Sequence, residues 1–325
     1  MNARITRRDF VKSSLLASAI VPLGISDNSS AQEQNTVTSS SEAMPMGQIR
    51  GQAFSRLMMG GNLIGGWAHS RDLTYVGTLA RRYNTEARIR ETLELGEANG
   101  INVINTWVMQ ENKVLFDHWK NGGKMKWISQ VRLDESGGFS QTQKAADQGA
   151  CAIHLTGDTC ESLLQRGESH FDKVAESIQF IKSRKLAAGV AAHDLQVIVE
   201  CEKRQLQPDF YQKTFHSLDY YTAPRADETG ACGSHDNSWC NKPDAVIEVM
   251  AKVTKPWIAF KILAAGALPP RGAFPYAFNS GADFILVGMF DWQIKEDADL
   301  VKRVYRIVRG PGSKRTRPWF GDVQA

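Results

Sequence analysis

Three histidines each close a short β-rich run: His154 follows Ala150–Ile153, His193 follows Ala187–Ala192, and His216 follows Phe210–Phe215. If these runs are neighbouring strands, about 4.8 Å apart, their end residues can converge on one point. Asp291 stands after a fourth run, Phe284–Val287, and adds a carboxylate. Neutral imidazoles with a carboxylate suit a divalent metal such as zinc, manganese or iron. They suit metal-free acid–base work near neutral pH equally well, and spacing does not separate the two. One histidine in such a place is more often packed or capping than catalytic; the threefold recurrence is what suggests a cluster. Lys261 lies between Phe260 and Ile262. Pointing inward, it would lose pKa to burial and act as a base or as a cation for an enolate; pointing outward, it would snorkel among helices. His154, His193, His216, Lys261 and Asp291 are thus the candidate catalytic set, the three histidines doubling as candidate metal ligands.

Candidate substrate contacts are Asn105, Trp107, Arg132, Asp158 and Gln212, all at or just past other run ends. His235 and Trp239 join them from the polar stretch Asp227–Cys240, long enough to cover a mouth as a lid. Trp67, Trp107, Trp239 and Trp292 would suit sugar rings as stacking platforms, or else pack loops.

The elements that must position these residues can be counted. Eight β-rich runs recur: Leu57–Gly65, Ile101–Asn105, Met125–Arg132, Ala150–Leu155, Ala187–Ala192, Phe210–Phe215, Trp257–Leu263 and Phe284–Val287. Helical patterns separate them, for example Thr85–Asn99, Phe171–Lys185, Asp194–Gln205 and Pro243–Val253, with apolar residues at 3–4 spacing such as Ile178 and Ile181. Eight βα units predict a single α/β domain, a (β/α)8 TIM barrel, rather than a doubly wound sheet, for which no early glycine fingerprint exists. In a TIM barrel the chemistry sits at the C-terminal strand ends, where the candidates lie.

The chain has 325 residues, 42% hydrophobic and 23% charged, ordinary globular material. A net charge of +4 is too small to argue for nucleic acid. Lys314, Arg315 and Arg317 read as a solvated tail. Cys151, Cys160 and Cys201 read as buried thiols. Cys232 and Cys240 share one loop; free thiols, a local disulfide, or a zinc site with His235 that lacks an evident fourth ligand are the alternatives.

At the N-terminus, Arg4-Ile5-Thr6-Arg7-Arg8-Asp9-Phe10-Val11-Lys12 precedes an apolar stretch too short to span a bilayer, then Ser29-Ser30-Ala31. This resembles a bacterial twin-arginine export signal. The resemblance implies a Tat translocase as partner during export, a periplasmic or secreted mature protein, and no stable membrane insertion. The expected organisation is a signal over 1–31, a flexible linker over 32–48 and the barrel over 49–325.

Leu57–Trp67, Gly100–Thr106, Ile153–Leu155, Gly189-Val190 and Gln212–His216 resemble segments of the aldo-keto reductases. The resemblance implies a TIM barrel using NADP(H). It places the family's catalytic Asp at Asn105, its Lys at Gln130 or Arg132, and its His at His154, with no clear Tyr in Trp107–Gln110. The pair that holds the nicotinamide amide reads Ala191-Ala192, while Gln212 is retained. After the eighth run, Met289–Trp292 stands where basic residues are expected, so NADP is disfavoured, though not ruled out. Ala264–Gly266 and Gly281–Gly288 look like the strand 7–8 phosphate cradle of many TIM barrels, supported only by Arg271. The leading expectation is an exported enzyme acting on a sugar- or polyol-like substrate by His- or metal-assisted proton transfer, as lyase, epimerase or hydrolase. An NADP-dependent aldo-keto-reductase-like oxidoreductase is the alternative, and a non-catalytic glycan- or protein-binding barrel is the second alternative.

Overall fold

The computed structural model describes residues 42–67, 69–70, 73–107, 112–223 and 240–322. The proposed signal, His235, Trp239 and Cys232 lie outside the described residues. A two-stranded antiparallel hairpin opens the domain, β1 (Met46–Ile49) and β2 (Gln52–Ser55). β1 therefore includes Met46, Gly47 and Gln48, the last three residues expected in the linker. Eight parallel strands follow: β3 (Leu57–Gly60), β4 (Val103–Trp107), β5 (Lys126–Val131), β6 (Ala152–Leu155), β7 (Ala187–Ala192), β8 (Phe210–Thr214), β9 (Trp257–Phe260) and β10 (Phe284–Val287). Each pairs with the next and β10 pairs with β3, closing the barrel. All eight expected runs are present, and the fold is the predicted (β/α)8 barrel.

Strand alternation builds the interior, because inward side chains recur every second residue. One inward layer is Met58, Val103, Ile128, Ala152, Ala187, Phe210, Ile258 and Phe284, all fully or nearly fully buried. Ile49 and Phe54 of the hairpin join that cluster and plug the N-terminal end. Gly189 is required in the next layer, since a Cβ there would come within 2.3 Å of the Phe210 ring. The outward strand residues, such as Trp127, Val190, Tyr211 and Trp257, pack under the helices.

The C-terminal tail is only partly solvated: Lys314 is exposed as expected, but Arg315 and Arg317 are not. Arg315 and Arg317 are buried beneath the barrel, bonded to both carboxylate oxygens of Asp283 at 2.8 and 2.5 Å. Arg317 also donates to the carbonyls of Met250, Gly281, Val253 and Lys255. Arg56 is buried against Trp319 and bonds the Asp283 carbonyl at 2.8 Å. A guanidinium with five fixed donors can be buried when carbonyls and a carboxylate meet all of them. Burial, the dominant influence, pushes the Arg315 pKa down to about 10.

Candidate active site

Two residues above the apolar layer, the same alternation places polar side chains on the same inward axis. Val103 leads to Asn105, Ile128 to Gln130, Ala152 to His154 and Phe210 to Gln212. Asn105, His154 and Gln212 are buried there and hydrogen-bonded to one another. Asn105 Nδ2 donates to Gln212 Oε1 at 2.8 Å and faces His154 Nε2 at 3.1 Å. His154 Nδ1 lies 3.0 Å from the Leu155 carbonyl, which can only accept, so Nδ1 carries the proton and Nε2 accepts from Asn105. Burial drives the His154 pKa down to about 4. Both Asn105 N–H bonds are then satisfied, and the string is neutral throughout the physiological range.

Two adjoining cavities open above this string. One, about 380 Å³, runs from Asn105, Gln130 and Gln212 toward the ends of β9 and β10, where Lys261, Gly266 and Gly288 line it. The other, about 340 Å³, shares Gln130, Gln212 and Lys261 and extends over β4–β7 to Trp107, Arg132, Asp158 and His193. Trp107, Arg132 and His193 are again two residues beyond inward positions. Arg132 bonds Asp158 at 2.5 Å and lies 4.8 Å from the Trp107 ring centroid. Both members of that ion pair are half-exposed, so it adds shape and charge to the rim and little stability.

His193 is held from behind. Glu161, on the helix Gly157–Gln165, accepts from the backbone N–H of His193 and Asp194 at 2.5 and 2.7 Å, and its other oxygen lies 3.2 Å from His193 Nδ1. Burial pushes the His193 pKa down; the Glu161 carboxylate opposes it, and the Lys261 and Lys213 charges add to it. Burial is the largest influence on Glu161 and acts upward, but its bonds to His193 and the two amides leave its pKa lowered. Lys213 is buried and donates to the His193 carbonyl at 2.6 Å, tying β8 to this corner. Glu161 and Lys213 were not among the sequence candidates. Glu161 sits one helical turn past the Gly157 that starts its helix, a position that gives no sign of reaching the next strand end.

Several expectations need correction. The three histidines do not form a shared metal site. Among the described residues no three His, Cys, Asp or Glu side chains stand close enough to ligate one ion. The reason is local: each imidazole turns Nδ1 to its own partner, Leu155, Glu161 or the Ser217 carbonyl. His216 lines neither cavity. It is buried, its Nε2 has no hydrogen-bond partner among the described residues, and burial pushes its pKa down to about 4. Asp291 is also outside the cavities. It begins the helix Asp291–Arg309 and accepts from Tyr83 at 2.7 Å and Arg88 at 3.0 Å, bracing the helices outside the barrel. Arg271 is exposed and pairs with Glu296, away from the glycines it was expected to support. Trp292 stacks on Phe290 and is exposed, while Trp67 and Trp107 line the smaller cavity. Lys261 faces the mouth, lining both cavities. Its φ is +58°, and Ala264 and Ala265 are also left-handed at +46° and +55°. Such strain in non-glycine residues gathers at functional sites.

No family model matches this chain, and no curated protein matches it in sequence. Solved structures do. A putative aldo-keto reductase from Pseudomonas aeruginosa is 16% identical with a TM-score of 0.57, over 82% of this chain and all of that one. An aldo-keto reductase from Bacillus halodurans, in its holo form, is 10% identical with a TM-score of 0.53, over 84% and 99%. A phospho-2-dehydro-3-deoxyheptonate aldolase from Thermotoga maritima is 10% identical with a TM-score of 0.50, over 84% and 76%. At these identities the likeness establishes the fold, a closed (β/α)8 barrel like that of the aldo-keto reductases.

Proposed function

We propose that the chain is an aldo-keto-reductase-like oxidoreductase, taking a nicotinamide nucleotide in the larger cavity and a sugar- or polyol-like substrate in the smaller. The observation that carries this reading is the Asn105–His154–Gln212 string at the junction of two adjoining cavities. The donor set fits the nucleotide. Gln130 and Gln212 offer amide donors and acceptors to match a carboxamide. Lys261, with the left-handed turn and glycines beyond β9, suits phosphate oxygens, in the place where TIM barrels commonly hold them. Bound there, a nicotinamide would supply or accept hydride. The chain's own residues would orient it and exclude water: Gln212 fixes the amide, His154 and Asn105 fix Gln212, and Phe260 and Leu263 close the apolar wall. In the smaller cavity, Trp107 offers a platform and Arg132 with Asp158 offers hydroxyl-binding charge.

The departures at Asn105 and Gln130 remove the charged groups expected of the family. They favour the proton-transfer reading, lyase or epimerase, as second. A fluorescence titration with NADPH and NADH separates the two. Saturable quenching at micromolar nucleotide, with nucleotide-dependent oxidation of polyols, is expected. No binding up to millimolar nucleotide would sink the oxidoreductase reading.

We also propose export through the twin-arginine route, with the mature protein outside the cytoplasm. The support is the paired Arg7 and Arg8 before an apolar stretch. Replacing both by Lys should trap the precursor inside the cell on fractionation. Normal export of the double variant would remove the case, because charge alone would then suffice.

A further inference from the structure

The Asn105–His154–Gln212 string arranges hydrogen bonds, but His154 has both ring nitrogens bonded, to the Leu155 carbonyl and to Asn105, and offers no free edge to exchange a proton with a substrate. A reaction at a hydroxyl or carbonyl needs a group that does. Building on the oxidoreductase reading, we propose that His193, oriented by Glu161, is the acid–base catalyst of this mouth and acts on a hydroxyl-bearing carbon in the smaller cavity.

The geometry assigns the role. Glu161 is fixed by two backbone N–H bonds in the turn that leads into the helix Leu195–Lys203, and cannot swing away without leaving both amides unbonded. Its free oxygen takes the Nδ1 edge of the imidazole, which leaves Nε2 for the cavity that His193 lines. A carboxylate behind Nδ1 fixes the tautomer and stabilises the imidazolium that forms when Nε2 takes a proton. Gly157 makes room for this arrangement, since a Cβ there would come within 2.8 Å of His193 Nδ1. The charged and titratable groups around the ring are Glu161 from its helix, Lys213 from β8 and Lys261 past β9. The Arg132–Asp158 pair and two more imidazoles, His69 and His154, line the same cavity. The two lysines and burial keep the imidazole neutral at rest, so it is set to accept a proton, the direction of alcohol oxidation. In that step the substrate O–H breaks and an N–H forms at Nε2. A bound oxidised nicotinamide nucleotide would supply the hydride acceptor for the C–H electron pair, so that a carbonyl would remain. Reduction runs the same proton back to oxygen.

A purely structural role for the pair, holding the turn before one helix, predicts altered stability and nothing else. The test therefore starts with nitrogen NMR of histidine-labelled full-length protein, the His193 signal assigned through His193→Gln. His193 should show the Nδ1–H tautomer. Glu161→Gln should lower its pKa by about 1 unit or more, by removing a facing charge, and should convert it toward Nε2–H. An unchanged pKa and tautomer in Glu161→Gln would overturn the assignment. The second arm is turnover of a polyol with the nicotinamide nucleotide. His193→Gln should cut kcat by about 10²–10⁴ with nucleotide affinity unchanged, and Glu161→Gln should move the acid limb of the kcat profile to lower pH. Full turnover in His193→Gln would end the proposal. If the wild type neither binds nucleotide nor turns over, the oxidoreductase reading falls, and the NMR arm still decides whether the dyad exists.

Discussion

Asp283→Ala is expected to lower the unfolding free energy by about 3–5 kcal/mol, the cost of leaving buried charge without its partner. For a domain of this size that corresponds to roughly 5–9 °C in Tm. The carboxylate is fully buried and meets four donors: Arg315 at 2.8 Å, Arg317 at 2.5 Å, and the backbone N–H of Trp257 and Phe320, both at 2.9 Å. Without it two guanidinium groups remain inside, facing only carbonyls. Asp283→Asn keeps the shape and one acceptor, and should fall between the wild type and Asp283→Ala. Guanidinium-chloride unfolding measures both. A loss below about 1 kcal/mol for Asp283→Ala would mean that the carbonyls alone hold the arginines.

This cluster also marks where the sequence was silent. The eight strands were readable because their residues are buried on both faces and so form short apolar runs, as in the six buried residues of β7. Arg315 and Arg317 resembled a solvated tail because most of their partners are backbone carbonyls, which leave no trace in side-chain type. The hairpin was missed because its first strand begins inside the stretch read as linker, and because Ile49 and Phe54 are its only fully buried apolar residues, too few to mark two strands. At the mouth, Asn105, His154 and Gln212 were each named from a place at a run end, His154 as catalytic and the other two as substrate contacts; the alternation from Val103, Ala152 and Phe210 that joins them into one string comes from the strand register. Asp291 does not reach the mouth because β10 ends at Val287 and Asp291 is already the first residue of the next helix. Glu161 was unreadable because its partner is supplied by the next βα unit, across 32 residues.

The set at the mouth has a second consequence, tested by Asn105→Asp. Asn105 Nδ2 stands between two acceptors, Gln212 Oε1 at 2.8 Å and His154 Nε2 at 3.1 Å. An ionised carboxylate there donates nothing and faces both lone pairs in a buried site. Either the new carboxyl keeps its proton, or His154 must take one against the burial that holds its pKa near 4. Each route makes the folded state hold a proton that the unfolded chain has released. The carboxyl's folded pKa is therefore raised above its unfolded value of about 3.9. Its contribution to stability is intact below that value and is lost as pH rises through the folded pKa. The variant should lie close to the wild type at pH 4 and fall about 2–4 kcal/mol below it by pH 8. Urea unfolding of both proteins at the two pH values reads the difference. An equal deficit at both would show that the aspartate is paired in the fold, and that the neutral string is not what this barrel requires at its centre.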